Sequence, residues 1–135
     1  MISVELALKT ILARFCPLGL EKTPLLESLH RVSGEDLYAS RNIPQFANSA
    51  MDGYAVRCSD IKNATKRNPA ALKIIEDIPA GQVPRKELTT GTAARIMTGA
   101  VIPRGADAVI RQEDSKKNAK TVYIFTAAEQ GRDIR

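Results

Sequence analysis

The residues whose types suggest chemistry fall in two short stretches. The first is Asn48-Ser49-Ala50-Met51-Asp52-Gly53-Tyr54-Ala55-Val56-Arg57, which follows Ile43-Pro44-Gln45-Phe46-Ala47. Asn48, Ser49 and Asp52 all offer side-chain oxygens, and Gly53 beside the acid permits a sharp backbone turn. An aspartate on such a turn, just ahead of an apolar strand, can present its carboxylate to a cavity. The other reading is a turn whose Asp and Ser bond only to local backbone N–H groups, and turns of that kind are the commoner. The second stretch is Arg95-Ile96-Met97-Thr98-Gly99-Ala100, continued by Pro103-Arg104-Gly105-Ala106-Asp107. Thr98 and Gly99 after a strand can offer a hydroxyl and bare amides to an anion. A hairpin turn predicts the same residues. Neither a phosphate-binding loop nor a dinucleotide fingerprint fits, because the Gly-Lys-Ser/Thr and Gly-x-Gly-x-x-Gly spacings are absent.

The elements around these stretches follow from periodicity. Ser3 caps a helix whose apolar face runs Val4, Leu8, Ile11, Leu12 and Phe15, stopped by Pro17 and Gly19. Thr23 as cap and Pro24 as first residue predict a second, short helix carrying Leu25, Leu26 and Leu29, closed by Gly34 in a left-handed turn. Beyond that point Pro, Gly, Asn and Asp recur every few residues, and the segments between them are β-like. Leu37-Tyr38-Ala39 and Ile43 read as extended. Gly53–Val56, Leu72–Ile75, Ala94–Met97, Ala108–Ile110 and Thr121–Thr126 read as strands, with turns at Pro79–Gly81, Pro103–Gly105 and Lys117-Asn118. Asn63 to Pro69 reads as an exposed loop. The sum is an α+β chain with N-terminal helices and a mostly β body.

Composition excludes several classes. With 44% hydrophobic and 26% charged residues, the chain has enough apolar material for a folded core, so wholesale disorder is ruled out. Its 135 residues suffice for one ordinary domain or two small interlocked ones. No run approaches the ~20 apolar residues of a membrane span, and the N-terminus lacks a basic region followed by an apolar run. A cytoplasmic protein is the expectation, with no membrane partner. The net charge of +5 is scattered rather than striped, which argues against nucleic acid and leaves anionic small molecules as natural partners. Cys16 and Cys58 are far apart and read as reduced thiols; His30 has no second ligand nearby.

The stretches Asn48–Arg57 and Arg95–Ala100, with Gly105-Ala106-Asp107-Ala108-Val109, resemble segments of the MoeA-like molybdopterin molybdenumtransferases, which include the E domain of gephyrin. The resemblance extends to Arg31-Val32 and to Gly131-Arg132-Asp133-Ile134-Arg135. Three positions depart from the family pattern: Ala47 and Arg104 stand where acids are usual, and Asp133 stands where asparagine is usual.

The resemblance implies an elongated homodimer of multi-domain subunits. Residues 1–43 would hold N-terminal helices and the start of an extended β-rich domain. Residues 44–130 would form a smaller inserted α+β domain, and 131–135 would return to the first. The pterin-binding and C-terminal domains of such enzymes have no counterpart here, so the chain is expected to be a fragment. The implied reaction inserts molybdate into adenylylated molybdopterin with release of AMP, assisted by Mg2+. A molybdopterin adenylyltransferase would be the upstream partner. By resemblance, Asp52 and Thr98 are the catalytic candidates, Asp52 the metal ligand, and Ser49, Arg95 and Gly99 the substrate-binding candidates. The alternative is a non-catalytic dimerisation or scaffold module.

Overall fold

The computed structural model describes residues 2–16 and 18–135, and these divide into two compact units, Met1–Tyr38 and Ala39–Arg135. Pro17, expected to stop the first helix, lies outside the described residues.

In the first unit, helix α1 spans Val4–Leu12, and the Ser3 hydroxyl accepts the Leu6 N–H at 3.2 Å as the expected cap. The helix ends at Ala13, so Phe15 falls beyond it rather than on its apolar face. The second helix shrinks to a single 3-10 turn, Leu25–Glu27. Pro24 sits outside it at ψ 143, and its left-handed residue is His30 (φ 66), not Gly34. Leu25, Leu26 and Leu29 are exposed, so no buried face rewards propagation of so short a helix.

The second unit is built on a six-stranded sheet in the order β4-β1-β3-β2-β6-β5. Its strands are β1 (Gly53–Val56), β2 (Ala70–Ile78), β3 (Thr92–Ile96), β4 (Ala108–Arg111), β5 (Ser115–Asn118) and β6 (Thr121–Ile124), with a short helix α2 at Cys58–Ile61. The expected strands at Gly53, Leu72, Ala94, Ala108 and Thr121 are all present. The extended segments expected at Leu37–Ala39 and Ile43 join no ladder among the described residues. The pair β3 and β4 is not a hairpin: β1 lies between them, antiparallel to both. Strand β2 runs parallel to β3, and β6 pairs antiparallel with β2. The turn expected at Lys117-Asn118 lies one step on, at Ala119 (φ 50), and Ser115–Asn118 itself is the edge strand β5.

Alternation along the strands buries both faces of this sheet. One face gathers Tyr54, Val56, Ala93, Ile110, Leu72, Val122 and Ile124 under Ile61 and Ala64 from α2 and the loop after it. The other gathers Ala55, Ala94, Ile96, Val109 and Ile78 under Leu88, Ala100 and Ile134 from loops and tail. Ile61, Ile78, Ile96, Ile110 and Ile124 are fully buried, each worth roughly 1.5–3 kcal/mol of transfer free energy. This body is mostly β, as the composition of its segments required.

Candidate functional site

Strand register brings the two stretches together. Because Gly53 pairs with Ile96 in the antiparallel β1–β3 ladder, the residue before β1 and those after β3 meet at one end of the sheet. There Asp52 Oδ1 accepts both the Thr98 amide and the Thr98 hydroxyl, each at 2.7 Å. The backbone N–H and then the hydroxyl of Thr98 hold the Asp52 carboxyl below the usual aspartate range, helped by the nearby positive charge of Arg95. Asp52 is exposed, and Oδ2 receives no hydrogen bond among the described residues.

Two glycine effects position this pair. A Cβ on Gly53 would lie 1.9 Å from the Ile110 carbonyl oxygen, so close approach of β4, rather than a turn, demands glycine there. Gly99 has φ +81, a left-handed conformation that suits glycine, and open space where a Cβ would point. Its amide donates to the Ser49 carbonyl at 2.8 Å, while the Ser49 amide donates to the Ala100 carbonyl at 2.9 Å. The amides of Thr98, Gly99 and Ala100 are therefore all committed within the protein, the last to the Met97 carbonyl at 3.0 Å. The loop does not present the bare amides that its sequence suggested for an anion.

Ser49 is wholly buried, and its hydroxyl donates to the Met51 carbonyl at 2.5 Å and accepts the Met51 amide at 3.3 Å. Its polar groups thus brace the loop that carries Asp52. Arg95 is partly buried on β3, in register with Tyr54 on one side and Asp77 on the other. Among the described residues it makes no ion pair within 4 Å, which leaves its charge available at this end of the sheet. Asp52, Thr98, Ser49 and Gly99 therefore form one connected assembly, with Arg95 beside it.

Several residues that build the site carried little sequence signal. The Gln112 amide donates to the Asp52 carbonyl at 3.0 Å, and the Ala50 amide donates to the Asp133 carbonyl at 2.8 Å. Asp133 has φ 54, a left-handed conformation that asparagine and aspartate tolerate better than most residues. No cluster of three His, Cys, Asp or Glu able to hold a metal occurs among the described residues. Two concavities, lined by Ser59–Ala70 residues and by residues 127–132, do not include Asp52 or Thr98. Asp52 and Thr98 are both exposed to solvent.

Comparison with known proteins shows the family of the chain. The MoeA N-terminal region (domain I and II) family model matches residues 2–135. A molybdopterin molybdenumtransferase 2 of Mycobacterium tuberculosis is 45% identical over 112 residues, 83% of this chain and 28% of that protein. A molybdopterin molybdenumtransferase of Synechococcus elongatus is 36% identical over 138 residues, covering 100% of this chain and 34% of its own length. A solved molybdopterin biosynthesis MoeA protein from Pyrococcus horikoshii superposes with a TM-score of 0.78 at 43% identity, over 85% of this chain and 30% of that one. The chain spans about a third or less of the length of these relatives. On the match along almost its whole length, the chain belongs to the MoeA N-terminal region family.

Proposed function

We propose that this chain supplies the N-terminal half of a composite site that inserts molybdate into adenylylated molybdopterin and releases AMP, a step of molybdenum cofactor biosynthesis. The observation that carries this reading is the Asp52–Thr98 pair: an ionised, exposed carboxylate with one oxygen fixed by two donors and the other free. A carboxylate so held is oriented before any ligand arrives.

The donors present are of the kind magnesium takes, and they make part of a site. Asp52 Oδ2 and the lone pairs of Thr98 Oγ1 are hard oxygen donors, and Mg2+ is commonly held by one or two carboxylates with substrate phosphates and water. Bound there, it would supply charge neutralisation at the phosphate anhydride. The residues of this chain do the rest. Thr98 directs its proton to Asp52 and so fixes the carboxylate rather than offering that proton to an oxyanion. Arg95 supplies a positive charge for a phosphate or for molybdate. Ser49 and Gly99 keep the two loops in register.

One carboxylate is too few for a complete metal site, and the exposed Asp52–Thr98 pair is open to water. Both features support a cleft completed by the pterin-binding domain, from a second subunit in a homodimer. The exposed leucines of the first unit, Leu18, Leu20, Leu25 and Leu26, favour that association. A cytoplasmic setting and supply of substrate by a molybdopterin adenylyltransferase belong to the same reading.

The test is Thr98→Ala in the protein that carries these residues together with its pterin-binding domain. Supplied with adenylylated molybdopterin, molybdate and magnesium, the variant should release AMP roughly ten- to hundredfold more slowly, with an unchanged melting curve. Undiminished release would remove the pair from the reaction and favour the scaffold reading. The 135 residues by themselves should release none.

A further inference from the structure

The Asp52 loop is gripped from two sides. On one side stand Thr98, Gly99 and Ala100. On the other stands the tail 131–135, which among the described residues makes no hydrogen bond to Thr98 or to the Asp52 carboxylate. We propose that Asp133 is a positioning residue for the Asp52–Thr98 pair: its left-handed backbone and its ion pairs hold the Asp52 loop against the end of β3.

The tail grip is built from backbone hydrogen bonds. The Asp133 carbonyl accepts the Ala50 amide at 2.8 Å, and Asn48 and Arg135 exchange two bonds of 3.0 Å each. Ser49 and Ile134 form an isolated antiparallel bridge. The φ of 54 at Asp133 aims its carbonyl at Ala50, so the angle of this one residue sets how the tail meets the loop.

The carboxylate of Asp133 fixes that angle from outside the loop. Its side chain is only 16% exposed and lies between two guanidinium groups. Arg111 Nε donates to Oδ2 at 3.3 Å and Nη2 reaches Oδ1 at 3.5 Å, while Arg132 Nε lies 3.8 Å from Oδ2. Arg111 is the register partner of Gly53 on β4, and the next residue, Gln112, donates its amide to the Asp52 carbonyl. The ion pair thus ties the tail to the strand end that also holds Asp52. A shared anchor on β4 makes tail and carboxylate move together.

The proposal rests on Asp52 being the working group of the site. Its test reads the Asp52–Thr98 hydrogen bond directly, so it can fail independently of any AMP assay. In the full chain labelled with 15N, Asp133→Asn keeps the size and the left-handed tolerance of the residue and removes its charge. Amide exchange at Thr98 should become roughly two- to fivefold faster, the scale a half-exposed ion pair can impose, and the Thr98 amide proton should shift upfield. The amides of β6 and the melting temperature should hold. Arg111→Met, at the other end of the ion pair, should reproduce the Thr98 change. Thr98 unmoved in either variant overturns the proposal. So does a Thr98 change that merely accompanies equal changes across β6, since that is general loosening.

Discussion

Alanine at position 53 would add one methyl group at the tightest point of the sheet. The new Cβ would sit 1.9 Å from the Ile110 carbonyl oxygen and 2.9 Å from its carbon, both backbone atoms of β4. No rotamer change relieves such a contact. Moving it out to the ~3.0 Å that Cβ atoms tolerate requires β1 and β4 to part by more than about 1 Å at the Gly53–Arg111 pair, stretching the ladder there. Overpacking costs roughly 1–3 kcal/mol, and an immovable backbone neighbour puts Gly53→Ala near the top, about 3 kcal/mol. For a unit of this size each kcal/mol lowers the melting temperature by roughly 4–8 °C, so a drop of about 12–24 °C is expected. Thermal unfolding followed by circular dichroism reads it. Because Asp52 precedes Gly53 directly, the Thr98 amide should also lose its hydrogen-bonded shift below the transition. A variant that melts within about 2 °C of the parent refutes the close-approach argument, and with it the idea that β4 sets where Asp52 stands.

Two predictions concern titration. Asp52 should titrate below the usual aspartate range in a 13C-carboxyl experiment, and Thr98→Val should raise its midpoint. Since the folded carboxyl is the stronger acid, its contribution to stability is full above the unfolded value and is lost as pH falls through the folded one. A midpoint at or above the ordinary value contradicts the two-donor geometry. Burial, then the neighbouring Asp107, pushes the Cys58 thiol up from 9.0 to about 11, so alkylation at pH 8 should modify exposed Cys16 well before Cys58. Because the folded thiol keeps its proton more tightly, stability should hold below about pH 9 and fall as pH climbs toward 11. Equal labelling of the two cysteines would show that Cys58 is not sheltered as described.

Strand positions were legible where side chains alternate against a core. Gly53–Val56 and Thr121–Ile124 were visible because aromatic and β-branched residues recur between turn formers. Strand β5 was hidden because Ser115-Lys116-Lys117-Asn118 lies at the sheet edge and buries no large apolar side chain. The second helix was over-read: Pro24 and the leucines supply start signals, but among the described residues the first unit offers them no buried face.

At the candidate site, residue types singled out Asp52 and Thr98 with a plain turn as the commoner reading, and only the resemblance implied roles for them. Their hydrogen bonding was not legible. Which amides are free depends on the order β4-β1-β3, a long-range outcome that local patterns do not encode. The grip of Asp133 on Ala50 is long-range in the same way, whereas the Ser49 hydroxyl bonds Met51 two residues on, as the turn reading of the sequence allowed.

The central claim is that the Asp52 charge, not its turn-forming ability, serves the reaction. Asp52→Asn keeps size and turn bonding and removes the charge. The decisive measurement is AMP release across a magnesium titration by that variant, in the protein that includes the pterin-binding domain, alongside its melting curve. The account predicts a steep loss of release, greatest at limiting magnesium, with little change in melting temperature. Near-normal release at limiting magnesium, or a loss of activity that only tracks a loss of melting temperature, would contradict it.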